Sequence, residues 1–345
     1  MAQKYHAQKY AQGNSVIVKI FNNGWGDNFP LKQYEQSIVE QYIQPVIEDS
    51  VPTVLINSVW YSGDYHQQVL AELRTMSFDR IIIVAMIDAA IPQRDWYNEF
   101  GVDVRTVGYY SGPDQLDLWA MFLEKYLQPQ DTAWMLDHTG IDTAYMCLNR
   151  KPHWHRRQLY QQLQTHNLLD QGIVSMGSES GPAERPLSTD CEHDNLAPNA
   201  SREHYGIPND IASIGHPDNW HRCFLNVVTE TVFDINRNGF VSEKIYKPIV
   251  GCRPFLVYDT DGATQWLTDR GFEMFTRDFI DITDLDLTLP DNTAPFLQQL
   301  CQQGPTYWQS KYVALRDKIM YNKIHFNEYV KQQKLIVEKG IQCQI

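Results

Sequence analysis

The feature that most constrains this chain is an alternation of strand-length apolar runs with longer amphipathic stretches. In RIIIVAMI, Arg80–Ile87, every residue from Ile81 onward is apolar. A strand without a polar face must be covered on both sides, as in a parallel sheet flanked by crossover helices. Val16–Phe21, Thr53–Val59, Val102–Val107 and Ala133–Leu136 read as further strands. The stretches Leu31–Ile47, Tyr65–Met76 and Gln115–Tyr126 between them read as helices. Strand alternating with helix is the βαβ signature, so the expected class is α/β.

The pattern restarts near Gly140–Thr143. Ala144–Asn149 (AYMCLN) reads as a strand, Trp154–Leu168 as a helix and Ile173–Met176 as a strand. A long excursion over 178–220 follows, rich in Gly, Pro, Ser, Asn and Asp, with little periodicity. Long loops of that kind in compact domains tend to be functional. Strand patterns return at Cys223–Val228, Pro254–Tyr258 and Phe279–Ile282, with helices at Glu243–Ile249 and Thr264–Asp269. A charged, aromatic-rich helical segment runs from about Tyr307 to Lys339. The expected organisation is a polar tail at 1–14 and an acceptor-side Rossmann-like domain at 15–142. A second Rossmann-like domain follows at 143–304, then a long C-terminal helical segment at 305–345, with the two domains facing a cleft.

Composition narrows the function. Of 345 residues 43% are hydrophobic, enough for sizeable cores. Lys and Arg total 29 against 42 Asp and Glu, a formal charge of -13. That balance argues against coating nucleic acid, whose phosphates call for a basic surface. No apolar run reaches the roughly 18–20 residues that span a bilayer. The N-terminus, MAQKYHAQKYAQGNS, lacks the apolar stretch of a signal peptide. Six cysteines stand singly with no C-x-x-C pair, which suits a reduced, cytoplasmic protein better than a zinc site.

Against this acidic background, Asn149–Arg157 (NRKPHWHRR) is a basic cluster where a strand turns into a helix. Pro152 suits the helix start. Guanidinium groups grip phosphate oxygens in pairs and helix N-termini favour anions, so Arg150 and Arg156 are candidate diphosphate clamps. A second stretch ends a strand at Thr229-Glu230-Thr231 and opens a helix at Ser242-Glu243-Lys244. Lys244 on the first turn suits a phosphate, and the Glu243 carboxylate suits a pair of sugar hydroxyls. The blander reading has Ser242 capping the helix with Glu243 and Lys244 in solvent.

A strand ending in E-T, a loop, then SEKIYKPIVGCRPF and an apolar strand resembles the donor-binding region of the alpha-1,3/4-fucosyltransferase family. It is also similar to related phage and bacterial glycosyltransferase-like proteins. Trp266-Leu267, Gly271-Phe272 and Phe275 downstream, with Leu148-Asn149-Arg150 and His155-Arg156 upstream, extend the likeness over Ala144 to Asp281. The resemblance implies a GT-B fold that moves a sugar, fucose among the candidates, from a nucleotide-diphosphate donor to a hydroxyl acceptor. It places the donor in the C-terminal domain, and the acceptor and the base on the N-terminal one. By the same resemblance Arg156 and Lys244 are pyrophosphate ligands, Glu243 is a ribose ligand, and Glu230 and Thr231 line the sugar pocket. Lys247 of the same motif joins the donor-binding set. A phage-encoded relative would act in the host cytoplasm.

Inverting transfer without a metal or other cofactor needs cations on the leaving diphosphate and a carboxylate to deprotonate the acceptor. Asp64 and Asp27, at strand ends of the first unit beside Trp25, Trp60 and Tyr61, are the candidate bases, and Asp88 also qualifies by position. Two D-x-D pairs, Asp259/Asp261 and Asp284/Asp286, match a divalent-ion motif, although capping the helix at Thr264 explains the first more simply. Asp234–Gly239 matches the first half of a calcium loop, but Ile245 stands where a bidentate Glu is required. No G-x-S-x-G, Walker A or G-x-G-x-x-G motif supports acyl transfer, P-loop chemistry or a dehydrogenase. The alternative class is a non-catalytic binding or structural protein that retains the fold.

Overall fold

The computed structural model describes residues 6–12, 15–21, 51–58, 70–71, 73–86, 97–109, 120, 135–149, 151–179, 183–185, 203–204, 207–208, 214, 217–231, 233, 241–259 and 262–342. It is a mixed α/β structure with parallel sheets and a long C-terminal helix. The chain divides into two compact units, 1–118 with 331–345, and 119–330.

The first unit carries β1 (His6–Gln12), β2 (Ser15–Phe21), β3 (Thr53–Ser58), β4 (Arg80–Met86) and β5 (Asp103–Tyr109). Their spatial order is their chain order, β1-β2-β3-β4-β5. β2 to β5 are parallel, and β1 pairs antiparallel with β2 from His6↔Phe21 to Gln12↔Ser15. The segment expected as a polar tail is therefore an edge strand, whose ladder supplies partners to one edge of β2. Val54, Ile81, Ile83 and Val104 from three strands bury against Leu70, Leu73 and Tyr97. Buried Arg80 donates its Nε to Thr53 Oγ1 at 3.0 Å, which ties the start of β4 to the start of β3.

The second unit carries β6 (Thr143–Asn149), β7 (Ile173–Met176), β10 (Cys223–Val228) and β11 (Phe255–Val257), all parallel. The order is β11-β10-β6-β7. From β6 the chain steps to β7 on one side, then returns to place β10 and β11 on the other. That reversal makes a topological switch point between β6 and β10, where open α/β sheets bind ligands beyond the strand carboxyl ends. β10 is buried at every position. Within the 178–220 excursion, β8 (Glu203–His204) pairs antiparallel with β9 (Ile207–Pro208).

The helices of this unit are α1 (Trp154–Thr165), α2 (Pro217–Arg222), α3 (Glu243–Val250), α4 (Gly262–Asp269) and α5 (Thr293–Cys301). A 38-residue helix, α6 (Pro305–Gln342), follows. Three local expectations are corrected. Phe279–Ile282 is a turn, with Ile282 N and Thr283 N both donating to the Phe279 carbonyl at 3.0 and 3.1 Å. Its Phe279 is a core plug against Phe224 and Phe296, which accounts for the apolar pattern without a strand. Met135 and Leu136, the described part of the expected strand Ala133–Leu136, form the end of a helical turn. Helix α5 stands where no helix was expected, with Pro295 in its first turn, a position that tolerates the missing N–H.

Residues 135–142 are tied to the second sheet, Asp142 through its ion pair with Arg222 at 3.0 Å and Met135 through a buried arginine. Buried Arg253 donates to the carbonyls of Trp220, Cys223, Met135 and Cys252 and to Tyr312 Oη, and its guanidinium lies 5.1 Å from the centre of the Tyr312 ring. Gln309 of α6 adds a bond to the Ile141 carbonyl at 3.0 Å. Asn322 of α6 donates to and accepts from the Glu273 backbone, 2.8 Å each way, as a strand would. The part of α6 up to Val330 belongs to this unit.

Candidate functional site

At the carboxyl end of β10 the chain runs into Thr229, Glu230 and Thr231, beside the switch point. Glu230 is buried. Its Oε1 accepts from Ser242 N at 3.0 Å, and its Oε2 from Ser242 Oγ at 2.5 Å and Thr231 N at 3.2 Å. Ser242 thereby joins β10 to the start of α3. Its hydroxyl also caps that helix, accepting from Lys244 N at 3.4 Å, so the capping expectation holds.

Glu243 and Lys244 are not the solvated pair of the blander reading. Glu243 is buried, and Lys244 Nζ donates to Glu243 Oε1 at 2.7 Å, Thr231 Oγ1 at 3.1 Å and Ser242 Oγ at 3.1 Å. The lysine side chain keeps 29% of its surface exposed. The ammonium thus stands at the first turn of α3 with its three donors directed at three oxygens. Burial raises the Glu230 pKa against the pull of Lys244 and Ser242. Burial also pushes Glu243 up, but Lys244 and Lys247 more than offset it and the net shift is downward. Two carboxyls in one cluster are driven apart, Glu230 toward holding a proton and Glu243 toward ionisation.

Arg156, in the first turn of α1, is 3% exposed. Its Nη2 donates to the Thr229 and Glu230 carbonyls at 3.0 Å each, and its Nη1 to the Lys151 carbonyl at 3.1 Å. Its buried Nε has no hydrogen-bond partner among the described residues. Burial lowers its pKa while Glu230 and Glu243 hold it up. The guanidinium pins the end of β10 to the start of α1. Across the switch point, Thr229 Oγ1 donates to Asn149 Oδ1 at 2.5 Å, linking the ends of β10 and β6.

The structure therefore brings together Arg156, Glu230, Thr231, Glu243 and Lys244, five residues drawn from two separated sequence clusters. Lys247 lies one turn further along α3, near enough to lower the Glu243 pKa. Arg150, Asp27, Asp64 and Asp88 lie outside the described residues, as does Asp234–Gly239. Of the D-x-D aspartates, Asp259 accepts from Ala263 N and caps α4. Asp286 accepts from Thr288 N at 3.0 Å and Thr288 Oγ1 at 2.7 Å. No group of three His, Cys, Asp or Glu among the described residues is arranged to hold a metal.

Sequence reasoning missed an aromatic stack on the same edge. His153 stacks on His155 at 5.9 Å, His155 on Phe233 at 5.1 Å, and Phe233 on Tyr258 at 5.4 Å. His155 Nε2 donates to the Glu230 carbonyl at 2.8 Å. Burial lowers both histidines to a pKa of about 4, with Arg156 adding to the shift. Both rings are thus neutral at pH 7, and the basic cluster is less cationic than its composition reads. Trp154, 62% exposed, meets Phe233 edge-on at 5.2 Å and rims the stack. The H-W-H order before Arg156 was the available signal. His153 Nε2 and Tyr258 Oη are buried without a partner among the described residues.

A cavity of about 560 Å³ in this unit lies elsewhere, at the amino ends of β6 and β7, lined by Thr143, Ile173, Asn219 and Arg222 among others. The titratable cluster and this cavity occupy opposite edges of one sheet. Comparison with protein families, with curated proteins and with solved structures finds no match for this chain. No described helix is long and apolar enough to cross a membrane.

Proposed function

We propose that the chain is a GT-B-like glycosyltransferase that takes a nucleotide-diphosphate sugar at the carboxyl edge of its second sheet. The observation that carries the reading is the setting of Lys244. A partly exposed ammonium stands on the first turn of a helix, at the switch point of a parallel sheet, held by Glu243, Thr231 and Ser242. The helix end and the ammonium both favour a phosphate there, and the carboxylate of Glu243 can accept from a ribose or sugar hydroxyl pair. A diphosphate oxygen would replace one hydroxyl contact of Lys244, leaving the ion pair with Glu243 to fix its position. As the sugar departs, charge grows on the diphosphate and Lys244 gains more in the transition state than in the ground state. Exposed Trp154 offers a stacking face at the same edge. The donor class, the metal-free inverting course and the hydroxyl acceptor rest on the family resemblance together with this geometry. The base belongs to the first unit in this reading, with Asp64 and Asp27 as its candidates.

One observation favours a second reading, a binding or structural protein that retains the fold. Arg156 is spent on backbone carbonyls and Lys244 on protein oxygens, so the cluster closes upon itself. Thermal melting with GDP, UDP, CDP and dTDP, with and without EDTA, separates the two. The transferase reading expects one nucleotide to raise the melting temperature and EDTA to leave that rise intact. No stabilisation by any of the four supports the structural reading, and stabilisation abolished by EDTA points to a metal-dependent site.

A further inference from the structure

The cavity of about 560 Å³ at the amino ends of β6 and β7 lies apart from the cluster around Lys244. Its volume falls within the roughly 300–1,000 Å³ of small-molecule sites. All of its lining residues belong to the second unit. Helix α2 supplies Asn219 and Arg222, three residues apart and therefore on one face of the helix. Asn219 is 2% exposed, yet its buried Nδ2 has no hydrogen-bond partner among the described residues. A buried amide left unpaired weakens the folded state, so its place on a cavity wall calls for an explanation.

The charges on that wall decide what kind of ligand fits. Arg222 Nε donates to both Asp142 oxygens at 3.0 and 3.1 Å, and its Nη groups make no hydrogen bond among the described residues. Arg185 Nη2 donates to Asp170 Oδ1 at 2.7 Å and to the Leu169 carbonyl at 2.8 Å. Two guanidinium groups are thus matched by two carboxylates, and the polar lining carries no net charge. An anion would lie beside the aspartates and a cation beside the arginines, each with its own charge unmatched. A neutral ligand meets no such opposition. The groups left over differ in kind: Asn219 offers a donor and an acceptor, Arg222 only donors, and the Asp170 carboxylate, 91% exposed, only acceptors. Hydroxyl groups, which donate and accept at once, suit all three. Trp308, its Nε1 already bonded to the Leu300 carbonyl at 3.0 Å, adds an apolar ring surface for the C–H groups of the same ligand.

We infer that this cavity is a second binding site, for a small neutral polyhydroxyl ligand of sugar chemistry, with Asn219 and Arg222 as its principal hydrogen-bonding groups. It stands at the sheet edge opposite Lys244 and rests on nothing assigned to that edge.

Saturation-transfer NMR of the full chain with glucose, galactose, mannose and maltose tests it, beside inorganic phosphate and glycine as charged probes. At least one sugar is expected to bind, and neither charged probe to displace it. Asn219→Leu keeps the size of the side chain and is expected to weaken that sugar at least tenfold. Its melting temperature should hold level or rise, since an unpaired buried amide is removed. Arg222→Ala, at an exposed side chain, is expected to weaken the sugar severalfold in a folded protein. Lys244→Ala, measured where it is folded, should bind the sugar as the wild type does. The inference is overturned if no sugar binds, if phosphate or glycine displaces the sugar, or if either cavity variant keeps full affinity. Loss of the sugar in folded Lys244→Ala also overturns it, because the ligand would then sit at the other edge.

Discussion

The two sheets are built from similar strands, yet among the described residues only the second gathers a titratable cluster at its strand ends. In the first, β1 to β5 follow one another in space as in sequence. Among the described strands no two neighbours diverge in their connections, the divergence that marks a switch point. In the second, β6 sends its connections to opposite sides, and the ends of β6 and β10 carry Asn149, Thr229 and Glu230. The buried polar groups differ accordingly. In the first sheet, Arg80 donates to Thr53 at the amino ends of two strands. In the second, Arg156, His155, Ser242 and Lys244 all converge on Glu230 or its neighbours. Strand order, more than strand composition, decides where such a cluster forms.

The largest effect that would break this contrast is expected at Arg253. Arg253→Ala removes this buried donor from the carbonyls of Trp220 and Cys223, while the Met135 carbonyl keeps the Tyr312 hydroxyl at 3.2 Å. With about 1–3 kcal/mol for each buried group stranded, a loss of at least about 2 kcal/mol is expected in urea denaturation. A loss below about 1 kcal/mol, the scale of a single ordinary hydrogen bond, would show that the second unit does not depend on this hub.

A pH profile sharpens the comparison next. His153 and His155 have folded pKa values near 4, below the ordinary 6.5. As pH falls below 6.5 the unfolded chain takes up protons that the folded one refuses. Their share of stability is complete above 6.5 and drains away as pH drops toward 4. Glu230, with its raised pKa, works in the opposite sense and gains on acidification. His155→Gln, which keeps a donor for the Glu230 carbonyl, is expected to flatten the fall in melting temperature over that window. An unchanged slope would mean the stacked ring is not buried in solution.

The smallest effect belongs to the first unit. Arg74 and Glu99 form a 2.9 Å ion pair with both side chains exposed. Arg74→Ala is expected to cost below about 1 kcal/mol and to leave nucleotide stabilisation unchanged. The contrast with Arg253 is between an arginine facing water and one that replaces water for four carbonyls.

Much of the fold was legible because its strands are apolar throughout. Ile173–Met176 and Cys223–Val228 have the expected bounds, and Arg80–Met86 falls one residue short of its expected end. Strand order was not legible, since nothing in AYMCLN states that its neighbours will lie on both sides. The hairpin of β1 and β2 has a signal in Gly13-Asn14, a two-residue link between matched segments, although the polar composition there reads as a tail. Phe279 misled because one buried ring in a turn gives the same local pattern as a strand. Arg253 was an arginine inside the apolar run VGCRPFLV, and such a charge must find buried acceptors. Within the site, the residue types at Glu230, Ser242, Glu243 and Lys244 were readable. Their closure into one network depends on a loop of ten residues between Thr231 and Ser242, whose path local sequence does not encode.

The most direct test of the central claim is Lys244→Ala, with nucleotide affinity, turnover and folding measured on the same protein. With the nucleotide that stabilises the wild type, the account predicts weaker binding in calorimetry and turnover lower by roughly 10²–10³. The urea midpoint is expected to fall as well, because buried Glu243 loses its ion-pair partner, so affinity and turnover are measured at a temperature where the variant is folded. Unchanged affinity and turnover in that folded variant would contradict the account and remove Lys244 from the site.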